Sequence, residues 1–95
     1  MEEERLLTAL RAGSADALEE IIRRCGAYVY TVVRNRAGGQ LPEEDLEEIS
    51  SDVFLALWQH PDRVRAGRLR SWLGALARNK TVDRLRRLRP RVPLD

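Results

Sequence analysis

Residues 46–58 read LEEISSDVFLALW, and the spacing of their apolar side chains indicates the fold class of the chain. Its apolar side chains recur at intervals of three and four residues, which is the period of a helical face and not of a strand. Pro42 and the acidic residues after it suit the first turn of a helix, and His60-Pro61 ends the pattern. The predicted buried face consists of Leu46, Ile49, Val53, Leu57 and Trp58.

The helical period continues on both sides of this stretch. A short helix is predicted over residues 2–11, and a long one follows Gly13, with Ser14 or Asp16 as its cap and Gly38-Gly39 at its end. Its predicted apolar face consists of Leu18, Ile21, Ile22, Cys25, Val29, Val32 and Val33.

Downstream, the pattern predicts a fourth helix from Leu69 to Leu76 and a fifth from Val82 to Leu88, with a break at Asn79-Lys80-Thr81. No stretch alternates with period two for long enough to make a sheet. The chain is therefore predicted to be all-α, a compact bundle of four to five helices with short connections.

Length and composition bound the class of protein. Ninety-five residues with 43% hydrophobic side chains make one small domain, predicted here over residues 1–88. A single cysteine, an acidic N-terminus and no long apolar run exclude disulfide-stapled, secreted and membrane-spanning proteins, and we expect a cytoplasmic protein. Residues 89–95, with two prolines, are predicted to end regular structure and to form a linker.

Charge is divided unevenly along the chain. Residues 1–61 hold six arginines and twelve acidic residues, a net charge of −6, whereas residues 62–95 hold eleven cations and three aspartates, a net charge of +8. The basic part is typical of a nucleic-acid-binding surface, and the alternative is a solvated arginine-rich face. Trp72 lies among these cations, where it could stack on bases of a single strand or pack between helices.

No set of residues converges on catalysis or on a metal. His60 is a lone histidine at a predicted helix end, and Cys25 lies on an apolar face, as a small core residue would. No phosphate-binding glycine loop is present, and we predict neither an enzyme nor a cofactor. Glu44, Glu48 and Asp52 form an acidic ridge, which is either a solvated face or a recognition surface for a basic partner.

Residues 46–58, followed after a loop by residues 67–87, GRLRSWLGALARNKTVDRLRR, resemble region 2 of the sigma-70 family, and more narrowly the extracytoplasmic-function (ECF) type of bacterial sigma factor. That family shows an acidic pair, a D/E-V-F-x-x-x-W helix, and then W-L-x-x-(I/L)-A-R-N-x-x-x-D-x-x-R-R. The matching residues here are Glu47-Glu48, Asp52-Val53-Phe54, Trp58, Trp72-Leu73, Ala77-Arg78-Asn79, Asp83 and Arg86-Arg87. The likeness extends over residues 6–88. Because ECF sigma factors carry a second helical domain, the resemblance also implies that residues 89–95 begin a linker to a domain that this chain lacks.

The resemblance implies a partner for each half of the domain. It implies that the helix matching residues 46–59 docks on the clamp helices of the largest subunit of RNA polymerase core. The implied polymerase-binding residues are Glu48, Ser51, Asp52 and Gln59, and Ser51 stands where the family often has Gln. The stretch matching residues 69–88 is implied to recognise and melt the promoter −10 element. The implied DNA-binding residues are Arg70, Trp72, Arg78, Asn79, Lys80, Thr81, Arg84, Arg86 and Arg87.

Within that set the family's pattern distinguishes several roles. Residues 79–81 match the base-capturing loop, Trp72 matches a position near the upstream edge of the melted bubble, and the arginines are implied phosphate contacts. Asp83 is expected to cap the helix or to form a local ion pair and not to touch DNA. Two alternatives remain at this point: a sigma-like helical module that binds a regulatory protein such as an anti-sigma factor, and a stand-alone duplex-DNA-binding domain.

Overall fold

The computed structural model describes residues 2–88, which form four α-helices and one short 3₁₀ turn. The helices are α1 (Glu2–Arg11), α2 (Ala15–Ala37), α3 (Glu43–Gln59) and α4 (Leu69–Leu88), and the 3₁₀ turn is Pro61–Arg63. No strand occurs in this part of the chain, and the predicted all-α class is confirmed. The predicted linker, residues 89–95, lies outside the described residues. None of the described helices is long and apolar enough to cross a membrane.

The helix ends follow local chemistry. Ser14 is the N-cap of α2, because its hydroxyl accepts a hydrogen bond from the Ala17 amide at 3.1 Å, and this settles which of the two candidate caps is used. Gly38 ends α2 with φ of 58°, a left-handed conformation that glycine adopts without strain. α3 begins after Pro42 with three acidic residues in its first turn and ends at His60, as predicted.

The core is aliphatic and takes residues from every helix. Its fully buried side chains include Leu7 of α1, Ile21 and Val29 of α2, Leu57 of α3 and Leu73 of α4. Burying a side chain of this size stabilises the fold by about 1.5–3 kcal/mol relative to leaving it exposed. Since aromatic residues are scarce in this sequence, these aliphatic contacts carry most of the stability.

Trp58 is not part of this core, which corrects the predicted buried face of α3. The Trp58 side chain is 38% exposed, while Phe54 is buried in its place. Val53, Phe54 and Leu57 already complete one face, and Trp58, one residue beyond Leu57, is turned about 100° away from it. The indole therefore lies at the edge of the core.

α4 runs without interruption from Leu69 to Leu88, so the predicted break at residues 79–81 is wrong and the fourth and fifth predicted helices are one. Residues 79–81 contain neither proline nor glycine, and each can keep its helical hydrogen bond. Thr81 is fully buried, and its hydroxyl donates to the Ala77 carbonyl at 2.8 Å, which absorbs the polar group within the helix itself.

α1 is joined to the segment between α3 and α4. The Arg11 guanidinium donates to the Val64 carbonyl at 2.6 Å, and the Glu3 carboxylate accepts from the Leu69 amide at 3.4 Å, at the start of α4. A carboxylate at a helix N-terminus complements the exposed amide groups there. These contacts hold the connection, residues 60–68, against the body of the domain.

α2 and α4 approach closely at Gly74. A Cβ atom built at Gly74 would overlap the Tyr28 hydroxyl oxygen and lie 3.3 Å from the ring carbon that bears it. The Arg70 guanidinium lies over the same ring, 3.9 Å from its centroid. Only a residue without a side chain fits beneath Tyr28 at this position.

We expect Gly74→Ala to destabilise the domain by about 1–3 kcal/mol, because the strain of the added methyl group exceeds the gain of about 1 kcal/mol in helix propensity. Urea unfolding followed by circular dichroism measures this change. In the Tyr28→Phe background the nearest clashing atom is absent, and most of the loss should be recovered. A Gly74→Ala variant as stable as the wild type would show that Tyr28 yields freely.

Candidate functional site

Three of the four implied polymerase-binding residues lie together on the outer surface of α3. Glu48 and Ser51 are exposed, and Asp52 is half-buried beside them. Gln59 is also exposed, but it is the last residue of the helix, about 10 Å along the axis from Asp52. The helix therefore presents one compact acidic patch, defined here as Glu48, Ser51 and Asp52, with Gln59 apart from it.

An apolar groove of about 570 Å³ runs between α2 and α3 next to this patch. Ser51 lines both the groove and the patch, so the two surfaces are continuous. Three large apolar side chains in the groove are exposed to solvent: Ile22 (40%), Leu55 (50%) and Trp58 (38%). Sequence reasoning missed this groove, although Ile22 and Leu55 each directly follow a buried residue, which is the signal of an apolar face wider than the core needs.

The implied DNA-binding residues on α4 differ in exposure. Arg70, Arg78, Asn79, Arg86 and Arg87 are exposed. Lys80 and Arg84 are half-buried between α3 and α4, where they line a cleft with Asp52. Trp72 is partly buried and packs against the core, which favours the packing role among the two considered.

Thr81 corrects the predicted interface. Its side chain has no exposed surface and its hydroxyl already donates to Ala77, so it cannot touch DNA while α4 is intact. The predicted base-capturing loop at residues 79–81 is a helical turn of which only Asn79 is fully accessible.

Arg84 joins the acidic and the basic helix. Its guanidinium lies 2.6 Å from the Glu48 carboxylate and 3.5 Å from that of Asp45, with 20% of the Arg84 side chain exposed. The hydrogen bond that Arg84 donates to the Glu48 carboxylate raises the pKa of Arg84, and the charges of Asp45 and Asp52 add to the effect. An implied polymerase contact and an implied DNA contact are thus bound to each other in the free domain. Asp83 pairs locally with Arg86 at 4.0 Å, as expected.

The connection between α3 and α4 carries a second set of cations. Arg63, Arg65 and Arg68 are exposed, whereas Val64 between them is buried and anchors the segment in the core. Gly67 has φ of 75°, which allows the chain to turn into α4. The sequence marked this segment as basic but assigned it no function.

Among residues 2–88, the side chains typical of enzyme active sites do not lie together in one site. Cys25 is half-buried against the core, and burial raises the pKa of its thiol, which is the opposite of nucleophile activation. His60 is exposed at the end of α3. Among residues 2–88 no group of three or more His, Cys, Asp or Glu side chains is arranged to hold a metal ion.

Comparison with known proteins identifies one family. The sequence-family model of sigma-70 region 2 matches residues 21–91, about three quarters of the chain. Neither the comparison with curated proteins nor that with solved structures gives a match. The matched region contains the acidic patch, the connection and the whole of α4, and sigma-70 region 2 is a non-enzymatic domain of transcription initiation factors. The chain therefore belongs to the sigma-70 region 2 family, which implies a role in promoter recognition with RNA polymerase core.

Proposed function

We propose that this domain docks through α3 on the clamp helices of the largest subunit of bacterial RNA polymerase and holds the melted −10 promoter strand along α4, as part of an ECF-type sigma factor. The observation that carries the proposal is the separation of charge between the two helices. Four of the six carboxylates of α3 are exposed, whereas the exposed charged residues of α4 are mostly arginines. One domain thus offers separate surfaces to a basic protein and to a polyanion.

The groove gives the docking surface an apolar centre. A protein partner that covers Leu55 and Trp58 removes two large, half-exposed side chains from water, and tryptophan is enriched among the residues that dominate binding energy. Glu48 and Asp52 at its edge would orient a basic partner and speed its association more than they add affinity. The expected partner is therefore a helix with apolar side chains flanked by basic ones.

The DNA-binding residues are revised in the light of the contacts. Arg70, Arg78, Arg86 and Arg87 remain proposed phosphate contacts, because their side chains are exposed on α4, and Asn79 remains the proposed base-reading residue. Lys80 and Trp72 remain candidates through their exposed edges. Arg84 is assigned to the joint between α3 and α4, since two carboxylates already occupy its guanidinium.

We propose that the connection, residues 60–68, also takes part in binding an unstacked base. A flipped base needs a pocket that surrounds it, and a continuous helix offers only the side chains on its surface. The connection has non-helical backbone beyond its 3₁₀ turn and carries three exposed arginines. We therefore add Arg63, Arg65 and Arg68 to the proposed promoter contacts.

A regulatory protein is the second candidate occupant of the docking surface. The same apolar groove would also suit an anti-sigma factor, which would then compete with polymerase for Leu55 and Trp58. The duplex-binding alternative gains nothing from the groove, because DNA does not require an apolar cleft between α2 and α3.

We expect Leu55→Ser to weaken binding to a purified clamp-helix fragment about tenfold, because the variant removes apolar contact at the centre of the docking surface. Isothermal titration calorimetry measures the affinity. Leu88→Ser is the matched control, since Leu88 is 51% exposed against 50% for Leu55 but lies at the far end of α4. Equal affinities of the two variants would contradict docking in the groove.

We expect Asn79→Ala to lose discrimination at one −10 position, by about 1–3 kcal/mol, because a base-edge hydrogen bond disappears. Arg87→Ala should weaken binding to all sequences alike and reduce the salt dependence. The measurement is competition among promoter variants for polymerase core bound to the domain. Thr81→Val is the buried control and should leave selectivity unchanged, so equal effects of Asn79→Ala and Thr81→Val would refute the base-reading role.

A further inference from the structure

The arginines of residues 2–88 fall into two groups. One group forms ion pairs with carboxylates: Arg5, Arg11, Arg23, Arg24, Arg84 and Arg86. The other has no carboxylate of the described residues within 4.0 Å: Arg34, Arg36, Arg63, Arg65, Arg68, Arg70, Arg78 and Arg87. Within the second group, Arg34 and Arg36 belong to α2 and not to α4 or the connection, and the family resemblance gave them no function.

Arg36 and Arg78 face one cleft between α2 and α4. The cleft has a volume of about 290 Å³ and is lined by Val32, Asn35, Arg36 and Arg78. Two turns before Arg78 along α4, Arg70 stacks on the Tyr28 ring. We call the surface formed by Tyr28, Val32, Asn35, Arg36, Arg70 and Arg78 the α2–α4 seam.

We propose that the α2–α4 seam binds the phosphodiester backbone of a nucleic-acid strand. The arginines of α4 line one side of the strand, and Asn35 and Arg36 of α2 line the other. This inference rests on the proposed function, which places a promoter strand on α4, and it adds a contact surface on a different helix. Arginine suits this task, because its planar group donates to two phosphate oxygens at once.

The spacing of the seam fits a strand that runs along it. Arg70 and Arg78 are eight residues apart on one helix, which is about 12 Å, the axial length of three to four nucleotides at 3.4 Å per phosphate. The cation–π contact with Tyr28 restricts where the Arg70 guanidinium can lie. The Asn35 amide can donate to a phosphate or pair with a base edge.

Charge at the seam is left unbalanced by the protein. None of the residues that line the cleft carries a carboxylate, and two guanidinium groups share it. The negative end of the α2 dipole accounts for cations in the last turn of that helix. It does not account for an arginine of α4 at the same cleft, and like charges there repel each other until an anion binds.

A phospholipid surface offers the same phosphate chemistry but fits the molecule less well. Proteins that bind a membrane surface bury apolar side chains beside their cations. The large apolar side chains exposed on α2 and α3, Ile22, Leu55 and Trp58, all line the α2–α3 groove, and none of them lines the seam. A strand that needs cations and little apolar area is therefore the ligand the seam favours.

The test is a fluorescence anisotropy titration of the full 95-residue chain with a labelled 12-nucleotide single strand of mixed sequence, between 50 and 200 mM salt. The slope of log affinity against log salt is negative. Arg36→Gln should make it less steep by about 0.7, the value of one phosphate contact on a single strand. The advantage of the wild type over this variant then shrinks about 2.5-fold over that salt range. Arg23→Gln is the matched control, because Arg23 is an exposed arginine of the same helix that pairs with Glu20.

Each outcome decides the inference. If Arg36→Gln gives the same slope as Arg23→Gln while Arg78→Gln makes the slope less steep, strand binding at the seam is overturned. The proposed binding along α4 then stands. No binding of the strand by the wild-type chain at 50 mM salt also overturns the seam, while docking on the polymerase fragment is tested separately. Tighter binding to vesicles of phosphatidylglycerol and phosphatidylcholine than to the strand, lost in Arg36→Gln, overturns it in favour of a membrane surface.

Discussion

The close packing of α2 against α4 is the constraint on which the other surfaces depend. α4 is buried at Gly74, Ala77 and Thr81, three small residues on successive turns. Gly74 leaves room for Tyr28 to lie across α4, and the exposed side of that ring then carries Arg70. A packing requirement thus fixes the position of a cation at the surface. Because Arg78 lies one turn beyond Gly74, the same contact also brings it to the end of α2.

The ion pairs act on geometry more than on stability. Arg84 bridges Asp45 and Glu48 with part of its side chain in solvent, and exposed pairs of this kind contribute at most about 1 kcal/mol. Their effect is to hold the outer parts of α3 and α4 in register while the aliphatic core supplies the free energy of folding. The pair with Arg84 therefore restricts the orientation of the Glu48 carboxylate, which stays 61% exposed at the surface.

Local signals in the sequence were sufficient for most of the fold. The bounds of α1, the cap at Ser14, the turn at Gly38 and the stop at His60 each depend on the chemistry of a few adjacent residues. The break expected in α4 was inferred from the apolar pattern of residues 69–88, and the intrinsic preferences of residues 79–81 do not support it.

The features that sequence reasoning missed are non-local. Arg84 and Glu48 are 36 positions apart in sequence, and the residues next to either one in sequence do not predict that they pair. Similarly, the apolar groove is lined by residues of both α2 and α3, and Ile22 and Leu55 stay exposed in it. Periodicity identifies which face of a helix is apolar, but it does not say how much of that face a neighbour covers.

α2 presents the surfaces for the two proposed ligands on opposite flanks, so both can bind at once. Gly26 and Tyr30 line the α2–α3 groove, whereas Tyr28 lies between them in sequence and belongs to the seam. Residues two apart on a helix differ by about 200°, so these two surfaces occupy opposite flanks of α2, with Val29 and Val33 buried in the core. A protein helix in the groove would then leave the seam open to a strand. The proposed function requires both surfaces to be occupied at once, and the 3.6-residue period of a single helix is sufficient to place them on opposite flanks.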